Sequence, residues 1–291
     1  MSILSDEDIH QINELLKKDI SGWFKSRDGG PYLQEFQKKF AEFLGAKYAF
    51  AVSSGSASIY VALKAVGVGE NDFVAVPAYT HVGSVAPILL AGAKPLFIDV
   101  NKYGNMDPED LRKVVSVMKV KAVIVVHQLG MPCNMDEIKE ASENAFIIED
   151  ASHALGAEYK GKKVGVLGDI GCFSIGGGRT KTIGTGEGGM IVVNDDHLAE
   201  KCKNIRNHGD RVTDCDYLCF NFRMSELNAL IGLLQMKKLQ FLIEWQVKNA
   251  EYLIENLPEY LEVPKPPPYV KNVHYIIGCH FSTEKTGMSR D

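Results

Sequence analysis

Short runs of consecutive apolar residues alternate along the chain with longer stretches whose apolar positions recur every three or four residues. The runs fall at 48–52 (YAFAV), 73–77 (FVAVP), 95–99 (PLFID), 122–126 (AVIVV), 146–148 (FII), 172–174 (CFS) and 190–193 (MIVV). Unbroken apolarity over a few residues suits strands covered on both faces. Between them, 32–44, 57–66, 108–117 and 195–207 read as helices, and Thr80-His81-Val82 leads into a further helix that contains Pro87. This alternation predicts an α/β fold built on a mainly parallel sheet.

The two ends read differently. Ser5 before Asp6, Glu7 and Asp8 is a capping signal, and Ile9, Ile12, Leu15 and Leu16 follow at helical spacing. A turn-rich connector at 22–31 (GWFKSRDGGP) separates that helix from the one at 32–44, which stops at Gly45. After Ser225, a plausible cap, the positions Leu227, Leu230, Ile231, Leu234, Leu239, Leu242 and Ile243 predict one long amphipathic helix. The run at 264–268 (PKPPP) predicts a stiff linker, and 273–281 the first strand of a small domain. The expected organisation is an N-terminal helix and connector (1–30), a large domain (31–225), and an interdomain helix with the start of an incomplete C-terminal domain (226–291).

Composition narrows the class. A chain of 291 residues, 45% of them hydrophobic, can bury a large core, and a net charge of -5 argues against nucleic acid as a partner. No apolar run reaches the length needed to cross a membrane, and the first residues lack a basic start and an apolar signal core, so the expected location is the cytoplasm. The cysteines at 133, 172, 202, 215, 219 and 279 form no C-x-x-C pair and read as reduced thiols, with no metal site.

Chemistry concentrates in 146–189, FIIEDASHALGAEYKGKKVGVLGDIGCFSIGGGRTKTIGTGEGG. An apolar run ends there in Glu149-Asp150, which would present a carboxylate at a strand's C-terminal edge, where ligands bind in open α/β sheets. Lys181 follows among glycines, either a solvated loop lysine or an amine with room to approach a planar ligand. Upstream, Ser53-Ser54-Gly55-Ser56 joins a strand to a helix, which makes either an ordinary serine cap or an anion site at a helix N-terminus. The glycines at 184–189 fit G-x-G-x-x-G but precede an apolar run, so a dinucleotide-binding turn is rejected.

Several motifs in order, EDASHALGA (149–157), GDIGCFS (168–174), KTIGTGEGG (181–189), RNHG (206–209) and FNFRMSE (220–226), resemble the signature of the DegT/StrS family of sugar aminotransferases. The resemblance implies a three-layer, aspartate-aminotransferase-like large domain with pyridoxal 5'-phosphate as cofactor, and a small C-terminal α+β domain that is incomplete here. In the family the stretch matching 273–281 sits early in the C-terminal domain and more sequence follows it, so a fragment or a truncated gene product is expected. The spacing from Ser174 to Lys181 is two residues longer than is usual there, an insertion that Gly176-Gly177-Gly178 can absorb. Arg179 occupies the usual spacing, but its guanidinium stays protonated and cannot form an imine.

By the same resemblance, Lys181 is the Schiff-base lysine and Asp150 the partner of the pyridine nitrogen. Gly55, Ser56 and Ser174 would hold the phosphate. His153 would meet the phenolic oxygen, sharing a helical face with Asp150, and His81 would stand where the family places a ring over the cofactor. A lone histidine is otherwise a structural residue. Asn221 is either a turn asparagine or, as in the family, a contact to the phosphate of the other subunit in a homodimer. The implied reaction moves an amino group from glutamate or glutamine to a keto sugar, nucleotide-linked. Two other readings compete: a sugar dehydratase of the same family, whose members replace the lysine with histidine, and a non-catalytic remnant.

Overall fold

Each of the seven apolar runs forms a strand of one sheet: β1 (Tyr48–Val52), β2 (Phe73–Pro77), β3 (Lys94–Ile98), β4 (Val120–Val126), β5 (Phe146–Asp150), β6 (Ile170–Ser174) and β7 (Gly189–Val193). The structure is a computed structural model that describes residues 4–18, 29–176, 181–208 and 220–289. The spatial order is β1-β7-β6-β5-β4-β2-β3. Strands β3, β2, β4, β5 and β6 run parallel, while β7 is antiparallel to both β6 and β1. The mainly parallel sheet is as expected.

Side chains alternate across a strand, so this sheet has two buried faces. One carries Val52, Val76, Ile124, Ile148, Cys172 and Ile191 against helices α3 (Gly55–Ala65), α4 (Val82–Leu90) and α7 (Asp196–Arg206). The other carries Ala51, Phe173, Met190 and Val192 at one end and Val123, Val125 and Ile147 at the other. The first group packs against α2 (Pro31–Leu44), the second against α5 (Pro108–Val117) and α6 (Met135–Ala141). Helix, sheet and helix give the three layers.

Local chemistry sets the helix ends. Ser5 and Asp8 form a reciprocal capping box on α1 (Asp6–Leu16), and α2 ends at Gly45 with φ +72°, a left-handed turn that glycine adopts without strain.

Two expectations are corrected. The long helix after Ser225 is two, α8 (Glu226–Met236) and α9 (Leu239–Glu255). Their apolar stripes bury in different places: Leu230 and Leu234 against Leu15 of α1, and Leu239 and Ile243 against the sheet-side core. A single straight stripe could not reach both, and the chain turns at Lys237-Lys238, where the Lys238 ammonium donates to Asp8 (2.7 Å). The expected strand at 273–281 is also absent except for its last two residues, His280–Phe281, which pair with Leu261–Glu262. The preceding residues instead cross toward the C-terminal edge of the sheet, tied by the Val273 N–H donating to Gly130 O (3.2 Å).

Most of the connector at 22–31, Gly177, Gly178, Arg179, Gly209, Cys215 and Cys219 lie outside the described residues. The four described cysteines are free thiols, and no helix among the described residues is long and apolar enough to cross a membrane.

Candidate active site

Adjacent carboxylates at the end of β5 are sent to opposite faces by strand alternation, and each meets a different environment. Asp150 turns toward α4: its Oδ2 accepts from the Ser84 hydroxyl (2.7 Å) and its Oδ1 from the Ser152 N–H (3.1 Å). Glu149 points the other way and is fully buried. Its Oε1 accepts from the N–H groups of Leu167 and Gly168 (both 2.6 Å), and its Oε2 from Gly165 N–H (2.8 Å) and His127 Nε2 (2.9 Å). His127 Nδ1 accepts from Cys133 N–H (3.1 Å), so the ring proton sits on Nε2 and is donated to Glu149.

Burial pushes the Glu149 carboxyl up, but the bonds from His127, Gly165 and Gly168 outweigh it and hold the group below its ordinary 4.5. A depressed folded value means that the contribution to stability is complete above the unfolded pKa and is lost as pH falls through the folded one. Glu149→Ala is expected to destabilise by about 3–5 kcal/mol by stranding these donors, and wild-type stability to decline as pH drops below the ordinary carboxylate range. Urea denaturation of both proteins from pH 7 to pH 3 checks this. An alanine variant as stable as wild type at pH 7 contradicts it.

Asp150 opens onto a cavity of about 280 Å³ whose lining includes Gly55, Ser56, His81, Asp150, His153, Ser174 and Lys181. Seven of the residues singled out in the sequence therefore converge here. Ser54 caps α3, its Oγ accepting from Ala57 N–H (3.1 Å), so the first turn of α3, with Gly55 and Ser56, faces the cavity. The leading N–H groups of a helix lack intrahelical acceptors and attract anions. A Cβ on Gly55 would come within 2.7 Å of the Ser174 Cβ, so glycine lets β6 and the α3 turn close into one cradle. The serine turn is a cap, and the same turn faces the cavity.

Lys181 is half-buried, and its Nζ donates to Ser152 O (2.7 Å). Burial lowers its pKa, against the opposing pull of Tyr275 and Asp150, and so favours the neutral amine. His153 does not share a helical face with Asp150, because the chain after β5 forms a turn. Its ring instead stacks on Tyr275 (centroids 4.1 Å apart, planes at 11°), and its buried Nδ1 has no hydrogen-bond partner among the described residues. Burial and the neighbouring Lys181 push His153 down to about 4, so it is neutral near pH 7. His81 lines the cavity but also caps α4, its Nδ1 accepting from Gly83 N–H (2.9 Å). Asn221 does not line the cavity. It pairs with Asn207 and accepts from Arg223 N–H (3.0 Å) on an exposed rim.

Sequence reasoning missed Ser84, Ser152, Thr80 and Tyr275. Ser84 lies three residues after His81, a helical spacing that could have placed it toward the same cavity. Thr80 Oγ1 in turn pairs with the Ser84 hydroxyl (2.9 Å). Tyr275 had no local signal, since its neighbours read as a strand.

Residues 3–291 match the DegT/DnrJ/EryC1/StrS aminotransferase family, and the chain belongs to that family. It is 37% identical over 280 residues to GDP-perosamine synthase of Escherichia coli O157:H7, covering 94% of this chain and 75% of that protein. It is 36% identical over 250 residues to UDP-4-amino-4,6-dideoxy-N-acetyl-beta-L-altrosamine transaminase of Campylobacter jejuni, covering 83% of this chain and 64% of that one. Among solved structures, that of S. venezuelae DesV in complex with ketimine intermediate superposes with a TM-score of 0.84 at 27% identity, covering 96% of this chain and 75% of DesV. The fold is that of the aspartate-aminotransferase-like enzymes, and aminotransferases of this family depend on pyridoxal phosphate.

The residues present fit that cofactor. The α3 turn and Ser174 offer an anion cradle that a Cβ would fill, Asp150 supplies a carboxylate, and His153 carries an unpartnered polar atom in the same wall. Gly55→Ala is expected to destabilise the protein by roughly 1–3 kcal/mol through overpacking against Ser174 and to weaken cofactor retention. Thermal melts with and without pyridoxal phosphate read both effects, and a variant that matches wild type in both contradicts the cradle.

Proposed function

We propose that the protein moves an amino group from glutamate or glutamine to a keto sugar carried on a nucleotide, with pyridoxal phosphate joined to Lys181. The observation that carries this reading is the convergence of Lys181, Asp150, His153, Ser174 and the Gly55-Ser56 turn on one cavity. The names of the relatives, a GDP-perosamine synthase and a UDP-linked amino-sugar transaminase, support a nucleotide-linked acceptor. We assign 31–225 to the cofactor-binding domain and 226–291, which carries α8 and α9, to a C-terminal unit.

When bound, the cofactor supplies an electron sink for the charge left on carbon when the amine substrate loses its α-proton. The protein's residues have separate tasks. Gly55, Ser56 and Ser174 would hold the phosphate through backbone N–H groups and a hydroxyl. Asp150, its oxygens fixed by Ser84 and Ser152, would stand against a protonated ring nitrogen. The neutral His153 would offer its free Nδ1 to the phenolic oxygen, as donor or acceptor according to tautomer. Lys181, eased toward the neutral amine by burial, would take the proton from the substrate carbon and return it.

Adding glutamate to the loaded protein should convert its absorbance to that of the aminated cofactor, and a nucleotide-linked keto sugar should reverse the change. No conversion with either donor contradicts the reading. We place the enzyme in the cytosol, which the free thiols suit. We also propose a homodimer, supported by Asn221 on an exposed rim and by exposed Val82, Leu89 and Leu90 on α4. Light scattering should report twice the chain mass; the mass of one chain contradicts it.

A further inference from the structure

We propose that Tyr275 is a positioning residue of this reaction centre: its ring holds His153 flat, and its phenol and ring face hold the Lys181 amine against the opposite pull of Ser152. The inference rests on the reading of Lys181 as the reacting amine, and it assigns work to a side chain from the C-terminal segment that no motif marks.

Three observations carry it. The Lys181 Nζ lies 4.7 Å from the Tyr275 ring centroid, within cation–π range, and Tyr275 favours the ammonium form of the amine. The Tyr275 and His153 rings stack 4.1 Å apart and nearly parallel, so the imidazole cannot rotate freely. The backbone that delivers Tyr275 is fixed on both sides. Val273 is buried, its N–H donates to Gly130 O (3.2 Å), and its carbonyl accepts from Gln246 Nε2 (2.6 Å). Gly130 has φ +92°, and a Cβ there would lie 2.8 Å from Tyr275 N and 3.0 Å from His274 N. His274 itself adopts φ +52°, an unusual conformation for a side-chain-bearing residue, next to the ring it places.

The consequence concerns one amine with competing neighbours. Titratable groups lining the cavity with Lys181 are Asp150, His153, His81, Glu187 and Tyr275. Burial favours the neutral amine, while Asp150 and Tyr275 favour the ammonium. Tyr275 thereby keeps the amine from losing its proton too readily and aims it between the Ser152 carbonyl and the cavity. Tyr275→Phe removes the hydroxyl and keeps the ring; Tyr275→Leu removes both.

The test uses the cofactor-free protein. Lys181 is acylated with acetic anhydride across pH 6–10, and its labelling is read by peptide mass spectrometry for wild type and both variants. Removing the hydroxyl takes away part of what favours the ammonium, so Tyr275→Phe should label Lys181 roughly three- to ten-fold faster at pH 7. Its whole profile should move to lower pH, and Tyr275→Leu, where it folds, should move further. Identical profiles for wild type and Tyr275→Phe overturn the proposal. Failure of the functional reading is seen separately: borohydride reduction of the loaded wild type would then mark a lysine other than Lys181, whatever the labelling shows.

Discussion

Replacing Lys181 with alanine is expected to lower amino transfer by roughly 10³-fold or more, because proton transfer and covalent capture leave together. The fold should survive. The amine makes one hydrogen bond, to Ser152 O, worth about 1 kcal/mol. Its removal also relieves the burial that lowers its pKa, so melting temperature should change little. Steady-state rates and thermal melts together check this. A variant retaining activity within ten-fold of wild type would remove Lys181 from the chemistry.

Asp150→Asn carries the second largest effect. The amide keeps the size of the carboxylate and can still accept from Ser84 or Ser152, but it cannot place a negative charge against a protonated ring nitrogen. A loss of roughly 10²-fold or more in kcat/KM is expected, the scale for removing one preorganised electrostatic partner. Ser84→Ala provides the comparison. It keeps the charge, deletes one hydrogen bond to it, and should cost only about ten-fold. Equal losses in the two variants would mean that geometry around Asp150, not its charge, is what matters.

Much of this was legible before any coordinates. Buried strands announce themselves as short apolar runs, and all seven did, because strands of a sheet covered on both faces are apolar over most of their length. That Gly55, Ser56, Asp150, Ser174 and Lys181 line one cavity was legible because the first two follow a strand in a small-residue turn, Asp150 and Ser174 end strands, and Lys181 opens a glycine-rich motif. What stayed hidden depended on long-range packing. The break between α8 and α9 is set by two apolar stripes with different partners, and no residue at Lys237-Lys238 announces it. The stretch 273–281 reads as a strand, yet its first residues lie against Gly130 with Tyr275 turned into the cavity. His153 was rightly drawn to the cavity, but toward the wrong neighbour: it meets Tyr275, which lies far away in sequence, and not Asp150.

The most direct test of the account is to load the purified protein with pyridoxal phosphate, reduce it with borohydride, digest it, and identify the peptide that carries the cofactor. The account predicts a single modified residue, Lys181. Modification of another lysine, or none, would contradict it.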